Sequence, residues 1–475
     1  MKVPSPPAYT LDNPVVKVLS DVRDELRLRR SEGLPHGPTG INPGRDLRWF
    51  RETPEILFEA HRQYGPVFAM RTFHTVSVWM IGPEASHFVT VSDADKFHWR
   101  EGMYRELIPF LGDGLITTDE EFHDRSRRLM LPVFHTERLA VATRVMVEEA
   151  DRALDGLEPR NPVEFYGWAR KIGMRVAMRA LFGFDPDAMD AAEAAAEFER
   201  GLSFFGRYFG FWMLRGPGSP YNEMRASRRR IVELVGSEIA RRRQEGPEGE
   251  DILSLLMLAE DEDGWRFSDE QLLDHAITLL FAGHDTTTTT IAFLLYELGR
   301  HPEWATRVSD ELEAELDGAP ADEERLFSGL PVLEQALDET LRLYPPVPMG
   351  LRRTIEPFEF AGQRVPAGVA VQYCPWVTHR LPDVFEDPLS FRPERMTREA
   401  KARLPKGAYT PFGGGRRICI GKRFGYLEAK VIASRLLQRF DPELATDSEV
   451  RVKWAGTLSP KDGVWMRMRE REARA

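Results

Sequence analysis

The stretch Phe412-Gly413-Gly414-Gly415-Arg416-Arg417-Ile418-Cys419-Ile420-Gly421 sets one cysteine in surroundings suited to an ionised sulfur. Glycines ahead of the cysteine permit a tight turn that brings backbone N–H groups toward it. Two arginines precede it closely. Residues Lys422 to Phe440 have helical periodicity, so Cys419 lies just ahead of a helix N-terminus. Cations and a helix N-terminus both lower a thiol pKa, and the thiolate is the form that ligates metals. Two plainer readings fit the same run: a buried structural cysteine, and a glycine-rich turn that cradles phosphate. The second lacks the Gly-Lys-Ser/Thr ending of a P-loop.

Composition narrows the field. The chain has 475 residues, 42% of them hydrophobic, enough for a large core and, on length alone, for two or three domains. Its net charge of −11 argues against a nucleic-acid partner. With only Cys374 and Cys419 present, no disulfide framework is indicated, in keeping with a reducing, cytoplasmic setting. The opening Met1-Lys2-Val3-Pro4-Ser5-Pro6-Pro7 holds no apolar run, which predicts neither a signal peptide nor a membrane anchor. The most apolar long segment, Ala276 to Leu298, is interrupted by His284, Asp285 and the threonines 286–290. It reads as a core helix.

The breaks at Gly33–Gly44, Gly216–Pro220, Gly246–Glu250 and Gly318–Ala321 are short enough to be loops inside one domain. Thr136–Leu157 and Glu164–Leu181 show helical spacing of apolar residues. Strand-like pieces are few: Val67–Arg71, Val76–Ile81, Phe358–Phe360 and Val369–Tyr373. The expected fold is mainly α with small β-sheets. The longest helix should open at Ser268, where Gln271 completes a capping box, and end near Arg300 before His301-Pro302, a span of roughly 50 Å.

At the centre of that helix stands Ala282-Gly283-His284-Asp285-Thr286. A glycine and an acid there cost stability, and threonine hydroxyls can bond the carbonyl four residues back. A proton relay into an apolar pocket needs an ionisable group beside a hydroxyl that both donates and accepts, which Asp285 and Thr286 provide. A buried, satisfied aspartate is the alternative. Further on, Glu339 and Arg342 share a helix face that Tyr344-Pro345-Pro346 ends. His123 and Arg127 lie one turn apart on another helix.

Phe412, Gly415, Arg417, Cys419 and Gly421 together resemble the cysteine-ligand loop of the cytochrome P450 family. The other motifs follow in that family's order, and the resemblance spans roughly residues 50 to 470. It implies a single-domain cytochrome P450 fold, here 46–475, after a lead segment 1–45, with no fused reductase. It implies haem b held by the Cys419 thiolate, with O2 as co-substrate. Ala282 and Gly283 would let the helix pass over the haem, and Phe412 would lie beside it. Asp285 and Thr286 would deliver protons. His123, Arg127, Arg353 and Arg417 would meet the propionates, with His379 as a further polar contact; arginine's planar fork suits carboxylates. Glu339 and Arg342 would be joined by Arg392 or Arg395, most readily Arg395, to brace the cysteine loop.

The activity implied is a haem-thiolate monooxygenase acting on a small lipophilic substrate such as a fatty acid, terpenoid or steroid. Electrons would come from a separate ferredoxin or flavodoxin with its NAD(P)H-dependent reductase, docking near Arg416, Lys422 and Arg423. A peroxide-driven peroxygenase and a non-catalytic haem-binding protein are the alternatives. By position, pocket candidates are Met103, Leu107, Ile108, Phe205, Phe209, Ala282, Thr286, Val347, Met349, Leu351 and Leu458. The aromatic cluster Phe204 to Met213 reads equally as core packing. Arg207 or Arg215 is a candidate carboxylate anchor, and Cys374 reads as a packed thiol.

Overall fold

Ser268 opens the longest helix through a complete capping box. Its hydroxyl accepts from the Gln271 N–H at 3.2 Å, and the Gln271 side chain accepts from the Ser268 N–H at 2.9 Å. The helix runs from Asp269 to Arg300 and stops where His301 leaves helical geometry and Pro302 begins the next helix. The computed structural model describes residues 13–31, 33–49, 51–135, 139–158, 161–205, 214–247, 249–322, 324–446, 448–454 and 457–471.

The helices that position the site are numbered in chain order: α1 Pro14–Ser31, α2 Glu120–Met130, α3 Phe165–Phe182, α4 Asp269–Arg300, α5 Pro331–Leu343 and α6 Lys422–Arg439. α4 packs against α3, α5 and α6, so nearly all of its second half is buried. That enclosure explains why its sequence is apolar on all sides, as a core helix's is. Among the described residues no helix is long and apolar enough to cross a membrane.

The small sheets are more connected than the sequence indicated. The N-terminal strands Val67–Thr72 and Thr75–Met80 join Ala370–Tyr373, Gly350–Thr354 and Phe97–His98 in one five-stranded sheet. Gly350–Thr354 was not expected as a strand, because consecutive arginines and a glycine mask its period. Its pairing with Ala370–Tyr373 sets Leu351 opposite Gln372 and Arg352 opposite Val371. The C-terminal strands Phe440–Leu444 and Trp465–Glu470 pair with each other, and Val452–Trp454 pairs with Leu458–Pro460.

Candidate active site

The cysteine loop lies flat against the turn containing Thr90 and Val91. Gly415 has φ +60°, and a Cβ there would stand 2.3 Å from the Thr90 carbonyl oxygen. Left-handed geometry and close approach both demand glycine. The Cys419 N–H donates to the Phe412 carbonyl at 2.9 Å, closing the loop just before α6. Protein surrounds Cys419, yet its side chain is accessible, because its open side faces a cavity. Burial raises the thiol pKa, while the Gly421 N–H, Arg127 and Lys422 pull it down. The electropositive surroundings expected from sequence are therefore present, but in the free chain burial outweighs them.

The cavity has a volume of about 370 Å³ and lies between α4 and the cysteine loop. Ala282, Gly283, Thr286 and Thr287 form the α4 side, with Phe412 and Cys419 opposite. A Cβ on Gly283 would meet nothing within 4 Å, so this glycine leaves space rather than fitting a tight contact. The Thr286 hydroxyl donates to the Ala282 carbonyl at 2.7 Å, and that of Thr290 to the Thr286 carbonyl at 2.9 Å. Both bonds use the i−4 pattern open to helical threonines.

Asp285 does not line this cavity. Its carboxylate lies 3.4 Å from Arg170 of α3 and 3.3 Å from His284 Nδ1. Glu199 completes the cluster, close to Arg170 at 2.5 Å and to His284 Nε2 at 3.3 Å. Burial raises the Asp285 pKa, but His284 and Arg170 outweigh it and hold the carboxyl below its ordinary value. Thr286 thus faces the cavity, while its neighbour joins an ionic cluster one step behind. Arg170 and Glu199 carry no local sequence signal, since α3 and the helix Met189–Ser203 meet α4 only in the fold.

A second acid was missed from sequence. Glu428 of α6 lines the cavity and hydrogen-bonds Thr287; burial pushes its pKa up to about 8. Such a group keeps its proton when folded and loses it near pH 4.5 when unfolded. Its contribution to stability is whole below pH 4.5 and declines as pH rises toward 8. Glu428→Gln should therefore flatten the fall in denaturant midpoint between mildly acidic and mildly alkaline buffer. Equal slopes in both proteins would show that Glu428 does not titrate in this window.

One rim of the cavity is cationic. His123 and Arg127 reach it from α2, Arg417 from the cysteine loop and Arg352 from strand Gly350–Thr354. Arg127 donates to the Ile418 carbonyl at 2.6 Å, and Arg417 to the Thr118 carbonyl at 2.8 Å. Arg417 also pairs with Asp119, whose carboxylate accepts the N–H groups of Trp99 and Arg100. Burial first, then Arg417, drives the His123 pKa down to about 4, so this ring is neutral.

Arg353 is corrected by the structure. Adjacent strand residues face opposite ways, and Arg353 turns from the cavity to Asp24 at 3.2 Å. Its neighbour Arg352 faces inward, 3.7 Å above the Trp99 ring. His379 is also absent from the rim. It accepts from the Thr410 N–H at 2.9 Å through Nε2, with Nδ1 3.2 Å from the Arg342 carbonyl. It thereby ties α5 to the start of the cysteine loop.

The Glu339–Arg342 pair of the brace is fully buried. Glu339 and Arg342 meet through bonds of 2.7 and 2.8 Å, and Arg342 also donates to the carbonyls of His379, Pro388 and Ser390. Arg395 is the third member, with Nε 3.3 Å from Glu339; Arg392 contributes its backbone N–H at 2.9 Å.

Of the pocket candidates, Leu107, Phe205, Val347, Met349 and Leu351 line the cavity, as do Ala282 and Thr286. Ile108 and Leu458 do not. Ile108 is buried in the short helix Ile108–Leu111, and Leu458 is buried with its carbonyl accepting from the Thr289 hydroxyl. Of Met103 only the backbone is described, in the turn Met103–Leu107. Phe209 and Arg207 lie outside the described residues. Arg215 stacks on Tyr221 at 3.6 Å, outside the lining. Cys374 is buried with its thiol pushed up to about 12, a packed and unreactive group.

These features suit an iron macrocycle bearing carboxylates. A lone thiol faces open space, Gly283 leaves room opposite, and three arginines gather on one rim.

The chain matches the family model described as Cytochrome P450 over residues 37–464. Cytochrome P450 136 of Mycobacterium tuberculosis is 32% identical over 433 residues, covering 90% of this chain and 87% of that protein. A cyclooctat-9-en-7-ol 5-monooxygenase of Streptomyces melanosporofaciens is 33% identical over 352 residues, 71% of this chain and 74% of that protein. A retinoic acid-bound cyanobacterial cytochrome P450 superposes with a TM-score of 0.83 at 27% identity, covering 92% of this chain and 99% of that one. Family model, relatives and fold agree: the chain belongs to the cytochrome P450 family of haem-thiolate monooxygenases.

Proposed function

We propose that this enzyme inserts one oxygen atom of O2 into a lipophilic small molecule of terpenoid, steroid or fatty-acid type. The observation that carries the reading is the cavity, where Cys419 and Thr286 face one apolar space bounded by Leu107, Phe205, Val347 and Met349. The relative that acts on cyclooctat-9-en-7-ol and the neighbour that binds retinoic acid favour a terpenoid-like substrate.

When bound, the haem supplies O2 activation and the oxidising chemistry. Cys419 would hold the haem iron through its thiolate, and that bond would offset the burial that raises the thiol pKa in the free chain. Arg127, Arg352 and Arg417 would hold the propionates by charge-assisted hydrogen bonds, joined by neutral His123. The apolar wall excludes water and presents a C–H bond of the substrate. Thr286 Oγ1 passes a proton into the cavity and is resupplied by Asp285, which draws on the cluster with His284, Arg170 and Glu199. That cluster connects the cavity wall to the surface, since Glu199 is 36% exposed.

Electrons come from a separate carrier. Arg416, Lys422 and Arg423 stand next to the cysteine loop, although Arg416 already pairs with Asp95 and Lys422 lies over the Phe412 and Tyr426 rings. Product formed with NADPH and surrogate carriers, but not with peroxide alone, is expected. Product with peroxide alone would favour a peroxygenase, and no product under either condition a binding protein.

The two members of the relay should behave differently. Thr286→Ala should leave oxygen consumption near its normal rate while product falls and peroxide release rises. Asp285→Asn should slow oxygen consumption itself, by about 10²-fold. Unchanged coupling in Thr286→Ala would place proton delivery elsewhere, Glu428 and Thr287 being the next candidates.

A further inference from the structure

Arg352 is buried, at 3% exposure, and meets no carboxylate among the described residues. Its guanidinium donates to the carbonyl of its own neighbour Leu351 at 2.8 Å. Arginine keeps its charge at any working pH, so burying it without a counterion costs stability. What faces this guanidinium instead is aromatic. The Trp99 ring lies 3.7 Å from it and the Tyr373 ring 5.4 Å away. Arg417, a second cation of the cavity rim, stands 5.0 Å from the same Trp99 ring. One indole therefore serves two guanidiniums, both within the range of a cation–π contact.

The backbone places this ring. Strand Phe97–His98 pairs antiparallel with Gly350–Thr354 and sets His98 opposite Arg353, so Trp99, the next residue, comes level with Arg352. Gly102 closes the turn behind it. Its N–H donates to the Trp99 carbonyl at 3.0 Å, and a Cβ there would stand 3.2 Å from the Arg352 carbonyl carbon. Asp119 fixes the other side. It accepts from the N–H groups of Trp99 at 3.0 Å and Arg100 at 2.8 Å while pairing with Arg417. Trp99 lines the site cavity together with both arginines.

We propose that Trp99 is a positioning residue for the haem: its ring holds Arg352, with Arg417, where a propionate carboxylate completes the ion pair that the chain itself does not supply. This rests on the reading that these arginines meet the propionates, and it assigns their placement to an aromatic side chain. A ring face stabilises a desolvated cation without neutralising it, so the full charge remains for a carboxylate. The adjacent Arg353 shows the contrast. It turns the other way and is matched by Asp24 at 3.2 Å.

The test compares haem with its dimethyl ester, which keeps the macrocycle and lacks both propionate charges. Each is loaded into the whole chain, and its loss to excess haem-free myoglobin is timed. Trp99→Leu should speed the loss of haem by about tenfold and leave the loss of the ester within about twofold. Trp99→Phe, whose ring attracts a cation less strongly, should fall between, and it decides by the same comparison if Trp99→Leu takes up no haem. Added to Arg352→Leu, Trp99→Leu should speed haem loss much less than it does alone. Unchanged haem loss in Trp99→Leu overturns the proposal. Equal acceleration of haem and ester also overturns it, by reducing Trp99 to packing. Arg352→Leu alone checks the underlying reading, since it should speed the loss of haem and not of the ester. If it speeds both alike, the propionate reading fails and the proposal with it. If it separates them while Trp99→Leu changes neither, only the role of Trp99 fails.

Discussion

Cys419→Ser should abolish oxygenation and remove the thiolate-specific red shift from the ferrous carbonyl spectrum, while leaving the chain folded. A serine hydroxyl does not ionise under conditions where a ligated thiol does, so the anionic ligand is lost. The loop itself should survive. It is held by the Cys419 N–H bond to Phe412 and by the contacts of Gly414 and Gly415 with Thr90, none of which uses the sulfur. The open side of Cys419 faces the cavity, so exchanging sulfur for oxygen leaves no void in the core. Stability of the haem-free chain should change by no more than about 1 kcal/mol. Cys374 is the control. It is fully buried and its Sγ donates to the Pro348 carbonyl at 3.3 Å, so Cys374→Ala should cost stability and leave the carbonyl spectrum unshifted. A thiolate-type spectrum persisting in Cys419→Ser would remove Cys419 from the iron.

Why the cysteine was legible and some of its neighbours were not has a physical explanation. The loop, the α4 segment around Gly283 and the Glu339–Arg342 pair are local patterns. Each is imposed by a backbone constraint or a one-turn spacing that a sequence displays. The capping box of α4 is of the same kind, and its bounds were recovered almost to the residue. The choice between Arg352 and Arg353 was different. It depends on strand phase, and the strand carrying them lacks an apolar alternation to reveal that phase.

The groups around Asp285 and Glu428 were hidden for another reason. Arg170, Glu199 and Glu428 reach the centre of α4 from three separate helices, and nothing near any of them marks its direction. Ile108 and Leu458 were placed at the cavity by chain position, but packing took both side chains into the core. α1 shows the converse limit. Nothing local marks Asp21, Asp24 and Glu25 as an inward face; the fold does so by setting Arg71, His74, Arg105 and Arg353 opposite them.

Arg342→Ala should leave little or no folded, haem-bound enzyme. Removing one partner of a fully buried ion pair strands the Glu339 carboxylate, at a cost of about 3–5 kcal/mol. Arg342 also serves three carbonyls, of His379, Pro388 and Ser390, and each left unpaired costs a further ~1–3 kcal/mol. The combined loss approaches the ~5–15 kcal/mol that separates folded from unfolded domains. The His379 link then fails as well, because its Nδ1 reads the Arg342 carbonyl and its Nε2 holds the Thr410 N–H at the start of the cysteine loop. Arg395→Ala should be far milder, about 1 kcal/mol, since its contact with Glu339 is a long 3.3 Å and sits beside two shorter bonds to Arg342. A double variant, Glu339→Leu with Arg342→Met, separates the two roles of the arginine. If the pair mattered only as charges, this apolar exchange would restore stability. The three carbonyls remain unpaired in the double variant, so rescue should be small. Full rescue, measured as haem incorporation and denaturant midpoint, would show that charge balance rather than carbonyl capture is what Arg342 provides.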